Sequence, residues 1–401
     1  MFSRLKFIIC AFFLAEFGRT MYFVVITWLL YTMTEDPFFT GLLVSIGFVP
    51  GLVFNLFFGV VVDRLNRKVL SVTATLINTL AVAFLVVSII SSALDPWTIL
   101  IVHMILQLMG SLFRPSIQAF IAEVFRDEEL PKIYSRTGSA AIVGGLLGAA
   151  FGGIITGVSS EEVALLIVAL CFSLATLLLT RLRHNPANST CNTNETTIIH
   201  DLIEGFSYLK GNKILLSLFG IMLVGQLTFH TTIGFLSVYT KEYLNQTATV
   251  YGLLDACLSI GGVLAGLMGT WWWNKNGNYL STRSLLVVIL GLFVMAFSSF
   301  LPLVFMGVFL VGLGTTWLRV LLQSVQQILT EKQYHGRMAS YRMLCNQGSV
   351  VVSGPIFGWI ASANKANTVF LALTFPVIIA AIYSIIQAKQ PKFKEVTQKS
   401  A

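Results

Sequence analysis

Apolar residues run through this chain in blocks, each closed by a short polar turn. A helix crossing a bilayer needs about 20 consecutive apolar residues at roughly 1.5 Å rise each. About twelve blocks meet that need, at 5–33, 38–62, 69–93, 97–122, 134–157, 161–181, 214–240, 248–273, 281–300, 302–326, 336–361 and 366–388. The pattern predicts an all-α membrane protein of about twelve transmembrane helices.

One long polar stretch, Arg181 to Lys213, interrupts this rhythm and divides the blocks into six and six. The expected organisation is an N-terminal six-helix bundle over 1–181, a cytoplasmic linker over 182–213, a C-terminal six-helix bundle over 214–388 and a basic tail over 389–401. Within the linker, 185–194 is low in complexity. Beyond it, Ile198, Ile199, Leu202, Ile203, Phe206 and Leu209 recur at helical spacing opposite Asp201, Glu204 and Lys210. Such a stretch reads as an interfacial amphipathic helix or as a plain tether. The two halves share traces of a repeat. Gly110-Ser-Leu-Phe-Arg114 in the fourth span resembles Gly314-Thr-Thr-Trp-Leu-Arg319 in the tenth, and glycines of the fifth span match Gly354-Pro355-x-x-Gly358 in the eleventh. Duplicated halves imply two pseudo-symmetric bundles around a central cavity, with rocking that alternates access.

Composition confirms the solvent: 56% of the 401 residues are hydrophobic and 11% charged, far from the roughly 25% charged of a soluble domain. The net charge of +8 is explained by where the cations sit. With both termini cytoplasmic, only Lys241 and Lys365 fall on the far side, and Arg19, Arg114, Arg319 and Arg342 lie within spans; the other Lys and Arg are inside. A multi-pass protein of the cell membrane follows, with the lipid bilayer as a partner and no nucleic acid. That orientation puts the glycosylation-like Asn188-Ser-Thr190 and Asn194-Glu-Thr196 in the cytoplasm, where they count for nothing. Glu16 and Arg19 interrupt the first block and no small-residue cleavage site follows, so no removed signal peptide is expected. The five cysteines show no paired or metal-like spacing. Trp271, Trp272 and Trp273 border a polar Asn-Lys-Asn turn and read as an interfacial belt.

The turn after the second span is the densest signal. Gly59, Asp63, Arg64, Arg67 and Lys68 place a small residue, an acid one turn later and a basic cluster between two apolar blocks. This resembles the G-x-x-x-D-R-x-G-R-K signature of the major facilitator superfamily, with Asn66 where glycine is usual; asparagine tolerates a left-handed turn. In the fifth span, Gly144-x-x-x-Gly148-Ala149-x-x-Gly152-Gly153 is similar to that superfamily's exporter motif, with Ala149 in place of proline; it reads as that motif or as generic small-residue packing. The Asp63–Lys68 turn, Gly110–Pro115 and the Gly336-Arg337 start of the eleventh span resemble the twelve-helix efflux branch that holds macrolide efflux proteins and metallophore exporters of the staphylopine type. The resemblance implies secondary active transport driven by a proton gradient, with no cofactor and a monomeric chain. The arginine that the superfamily carries in its fourth helix is expected near Gln107, leaving its role open; Arg114 takes it or faces the cytoplasm.

Charges inside spans cost on the order of 2.5–3.5 kcal/mol each, so they are kept for function or as ion pairs. Glu16 and Arg19 lie one turn apart on the first span. Arg114, Asp255, Arg319 and Arg342 occupy the fourth, eighth, tenth and eleventh. Proton coupling is expected at Glu16 and Asp255. The expected substrate cavity takes Arg19, Asn55, His103, Gln107, Arg114, Gln226, His230, Arg319 and Asn346, with Gln323 and Gln347 as further polar neighbours. For each of these the plainer reading is a structural pair or a hydrogen-bonded helix residue. Four arginines against two acids point to a small polar or zwitterionic cargo such as an opine-type metallophore. A macrolide or multidrug:proton antiporter and a lysolipid flippase are the alternatives. No H-E-x-x-H, G-x-S-x-G, nucleotide loop or metal cluster occurs, so neither an enzyme nor a metal site is expected.

Overall fold

The computed structural model describes residues 2–182 and 198–398, which are helical with no strand among them. The first six helices are α1 (Phe2–Thr34), α2 (Pro37–Arg64), α3 (Arg67–Ile90), α4 (Pro96–Val124), α5 (Leu130–Val158) and α6 (Glu161–Thr180). After the linker come α7 (Ile198–Gly211), α8 (Lys213–Val238) with a π-turn over Tyr239–Tyr243, α9 (Ala248–Leu267) and α10 (Gly269–Asn276). The chain continues with α11 (Leu280–Phe297), α12 (Leu301–Leu329), α13 (His335–Ala363), α14 (Thr368–Ala388) and α15 (Pro391–Gln398). The 185–194 piece and its two asparagine acceptors lie outside the described residues.

Among the described residues, eleven stretches are long and apolar enough to cross a bilayer, against about twelve expected. The difference is α13, whose 29 residues are long enough but whose first half carries Arg337, Arg342, Asn346 and Gln347. The eighth span also ends sooner than 273. Gly266 and Gly269 flank a break at Met268, because two glycines so close give the helix little to hold it.

Two compact units divide the chain: Met1–Thr193 with Gln246–Ala256, and Asn194–Asn245 with Cys257–Ala401. The first two turns of α9 thus group with the first unit, a membership that hydrophobic period does not encode. Lipid offers no hydrophobic drive for helices to associate, so close backbone approach and polar contacts hold each unit. In the first unit Tyr22, Val25, Leu43, Val82, Leu106, Leu165 and Phe172 interlock α1, α2, α3, α4 and α6.

The basic turn closes this unit at one end. Arg67 Nη1 pairs with Glu123 Oε1 at 2.6 Å, and Lys68 Nζ donates to the Thr180 carbonyl at 2.8 Å. Arg64 is exposed, and the burial of Gly59 and the side chain of Asp63 lie outside what the structure describes. Asn66 corrects the sequence reading: its φ is −64°, so no left-handed turn is made. Its Oδ1 instead accepts from the amides of Lys68 and Val69 at 3.1 and 3.2 Å, capping α3.

In the second unit α7 forms over the expected stretch and docks on α13. Glu204 accepts from Tyr334 Oη at 3.1 Å and pairs with Arg337 at 2.9 Å, while the Tyr208 ring stacks on Tyr334 at 4.0 Å. The hydrogen bond to Glu204 pushes the Tyr334 phenol above its ordinary range. Leu209 is buried and Phe206 exposed; the side chains of Ile198, Ile199, Leu202 and Ile203 lie outside the described residues. The tryptophan belt needs correcting too. Trp271 is exposed beneath Lys275, but Trp272 stacks on Trp317 at 3.8 Å and Trp273 is buried with its indole N–H on the Thr397 carbonyl. The break at Met268 turns these two indoles into their own unit.

Candidate functional site

Glu16 is the centre of the first unit's polar group. Arg19 Nε donates to its Oε2 at 2.7 Å and Arg114 Nη2 to its Oε1 at 2.9 Å. The helical i,i+3 offset sets the first contact, and the crossing of α1 with α4 sets the second. The carboxylate is 10% exposed, whereas the arginine side chains are 44% and 58% exposed. Guanidinia so open near the middle of long apolar helices would each cost several kcal/mol against lipid. Arg114 thus meets Glu16 across helices, a contact that neither sequence reading of this arginine specified.

Asp255 belongs to the same unit through the first turns of α9. It is buried, has no ion pair among the described residues, and feels the charge of Arg19. One turn earlier, Tyr251 shares a 2.6 Å hydrogen bond with Thr27 and stacks on Trp28 at 6.1 Å. These contacts fasten the Asp255 segment to α1. Sequence reading missed Tyr251 and Thr27, although a tyrosine four residues before a membrane-embedded acid lies on the same helix face and is a usable signal.

Glycines bring the elements this close. A Cβ on Gly144 would stand 2.7 Å from the Phe13 carbonyl, one on Gly148 would strike the Phe17 carbonyl, and one on Gly152 would stand 3.2 Å from that of Met21. The i, i+4, i+8 series therefore lays α5 directly on the backbone of α1. Gly153 abuts Gly252 on the other flank, where its Cβ would come within 2.5 Å of the Gly252 Cα. The exporter-like glycines are thus a two-sided seam that seats α5 against α1 and against the first turns of α9, with Ala149 fully buried where the motif has proline.

Not every expected cavity residue joins this group. His103 is 2% exposed, stacked on Tyr22 at 5.9 Å, and neither ring nitrogen has a hydrogen-bond partner among the described residues. It is packed between helices and not on the open surface, because Gly47 leaves it room on α2; Gln107 faces the same glycine. Asn55 is half-buried on α2.

The second unit holds a different set. Gln226 and His230 on α8 are hydrogen-bonded at 2.6 Å, and Phe229 between them lies 4.9 Å from the guanidinium of Arg319 on α12. Arg342 donates to Gln326 Oε1 at 3.0 Å, while Gln323, Asn346 and Gln347 are half-buried. Arg319 and Arg342 have no ion pair among the described residues. Those residues also contain no group of His, Cys, Asp and Glu that would hold a metal.

A paired basic turn, a glycine seam on the fifth span and ionisable side chains at mid-span are the features of a carrier, and the sequence comparison decides which kind. The profile of the Major Facilitator Superfamily matches residues 8–243 and 221–401. The chain belongs to the Major Facilitator Superfamily. Among curated relatives of this superfamily, "Multidrug resistance protein MdtG" of Klebsiella pneumoniae (strain 342) is 25% identical over 366 residues, 88% of this chain and 84% of that protein. The same-named protein of Enterobacter lignolyticus (strain SCF1) is 26% identical over 364 residues, 86% of this chain and 81% of that protein. Among solved structures, the nucleoside transporter NupG aligns with a TM-score of 0.79 at 14% identity, over 97% of this chain and 100% of that one. A bacterial homolog to the human lysosomal transporter Spinster, inward-facing and unoccupied, aligns with a TM-score of 0.73 at 14% identity, over 98% of this chain and 96% of that one. The protein is a multi-pass membrane transporter of this superfamily, and its relatives are transporters, not enzymes.

Proposed function

We propose that this transporter is a proton-coupled exporter of a small anionic or zwitterionic molecule, an opine-type metallophore being one example, working as a monomer in the cell membrane with both termini cytoplasmic. The observation that carries the reading is the contrast between its two embedded carboxylates. A proton arriving at Glu16 would break two ion pairs. One arriving at Asp255 would break none, so Asp255 is the group that can load and unload a proton, and Glu16 holds the arginines in place. The excess of arginines over acids at mid-span supports an anionic cargo. Export as the direction rests on the resemblance of the fifth-span glycines to the exporter motif.

Inside-out vesicles with an imposed pH gradient test this, comparing an opine-type chelator, a macrolide and a lysolipid. Chelator uptake that collapses with a protonophore and in Asp255→Asn is the expected result. Gradient-driven flux that survives both Asp255→Asn and Glu16→Gln removes the coupling assignment. A multidrug antiporter is the second reading, favoured by the name of the MdtG relatives; macrolide uptake without chelator uptake would establish it. A flippase reading would draw on a groove of about 450 Å³ between α1 and α5, apolar at Ile9, Phe13 and Val143 with Arg136 at its edge. Lysolipid uptake alone would select that reading.

A further inference from the structure

Arg114 and Arg319 occupy equivalent places. Each sits at the same distance from the start of its own 29-residue helix, α4 or α12. Each faces a side chain from the first span of its unit: Arg114 meets Glu16 on α1, and Arg319 meets Phe229 on α8. The chemistry of the two encounters is opposite. Glu16 neutralises one guanidinium with a charged hydrogen bond, whereas the Phe229 ring covers one face of the other and leaves its charge and in-plane N–H donors unanswered. Among the described residues no carboxylate pairs with Arg319, and it is only half-buried.

An arginine kept at mid-span without an anion is costly in a folded membrane protein. A guanidinium with its edge free presents two parallel N–H donors that match a planar carboxylate, and the aromatic face behind it suits a flat apolar group beside that carboxylate. One turn along α8, the Oε1 of Gln226 is buried without a hydrogen-bond partner among the described residues, so an acceptor stands on the same helix for a donor on the ligand.

We propose that Arg319, backed by Phe229, is a carboxylate-binding subsite that takes the anionic group of an organic cargo. The inference rests on the transport reading only for the word cargo; binding itself is independent of proton coupling. Benzoate and its uncharged counterpart benzamide serve as probes on the purified full-length protein. Arginine modification by phenylglyoxal, followed peptide by peptide, reads each guanidinium separately. Benzoate is expected to slow modification of Arg319 at least fivefold and that of Arg114 by less than twofold, with benzamide slowing neither. Saturable benzoate binding should weaken at least tenfold in Arg319→Gln, partly recover in Arg319→Lys, and persist in Asp255→Asn. The subsite is refuted if the wild-type protein shows no saturable benzoate binding, if benzamide protects Arg319 as well as benzoate does, or if Arg319→Gln binds benzoate like the wild type. If benzoate binds at Arg319 while pH-gradient-driven flux is absent, the coupling reading falls and the subsite stands. If flux of a neutral macrolide persists while benzoate binding is absent, only the subsite falls.

Discussion

The two units answer the same problem, a guanidinium at mid-span, in different ways. The first surrounds one carboxylate with two arginines and is internally balanced when Asp255 is counted; the second sets Arg319 against an aromatic ring. Where the first unit's opening span carries Glu16 and Arg19, the second unit's carries Gln226, Phe229 and His230. The contrast teaches that arginines at the same position of two equally long helices can meet opposite surroundings, an acid in one unit and an aromatic ring in the other.

Stability measurements can break this contrast. Glu16→Ala leaves two guanidinia side by side, and removing one partner of a buried ion pair costs about 3–5 kcal/mol; with both arginines half exposed the loss should be about 2–3 kcal/mol. A thermal-unfolding scan in detergent should therefore show its largest drop for this variant. Arg114→Gln should cost about 1–2 kcal/mol, and the Glu16→Gln/Arg114→Gln double variant should fall short of the sum of the singles by about 1 kcal/mol. Arg319→Gln removes an uncompensated charge and should leave the melting temperature unchanged or higher; a drop as large as that of Arg114→Gln would erase the distinction. Asp255→Asn should alter proton-driven flux at least tenfold with little change in melting. The smallest effect lies outside the membrane, where α4 is capped by Asp95, whereas α12 has Phe300 at its N-cap and no side-chain cap. The amide and hydroxyl of Thr98 hold the Asp95 carboxyl below its ordinary range. A folded-state depression stabilises above the unfolded pKa, about 3.9, and is lost as pH falls through the folded value. Asp95→Ala should thus lower the melting temperature slightly at pH 7 and converge on the wild type in acid.

Much of this was legible in the chain itself. The spans, the basic turn, the glycine series and the mid-span charges all follow from periods and residue types that a bilayer imposes. Glu16 and Arg19 were readable as a pair because helical geometry is local. Partnerships across helices were not: that Arg114 meets Glu16, or that Arg319 meets Phe229, depends on how helices cross. Asn66 misled because its side chain, and not its backbone tolerance, does the work of the turn. His103 was equally opaque, since the space that Gly47 opens for it lies on another helix. Trp272 and Trp273 are interfacial only on a helix that runs unbroken past Met268, and the break there is set by glycine spacing that an apolar block does not reveal.

The contact of α5 with α1 is made by main-chain atoms, through glycines laid on the carbonyls of Phe13, Phe17 and Met21. A joint of that kind depends first on the missing side chains of α5, with α1 side chains such as Phe17, whose ring lies 6.1 Å from that of Phe151, packed around it. Substitutions at Glu16 or Arg19 therefore leave this seam's own contacts in place, because neither side chain is among the atoms that meet the glycines.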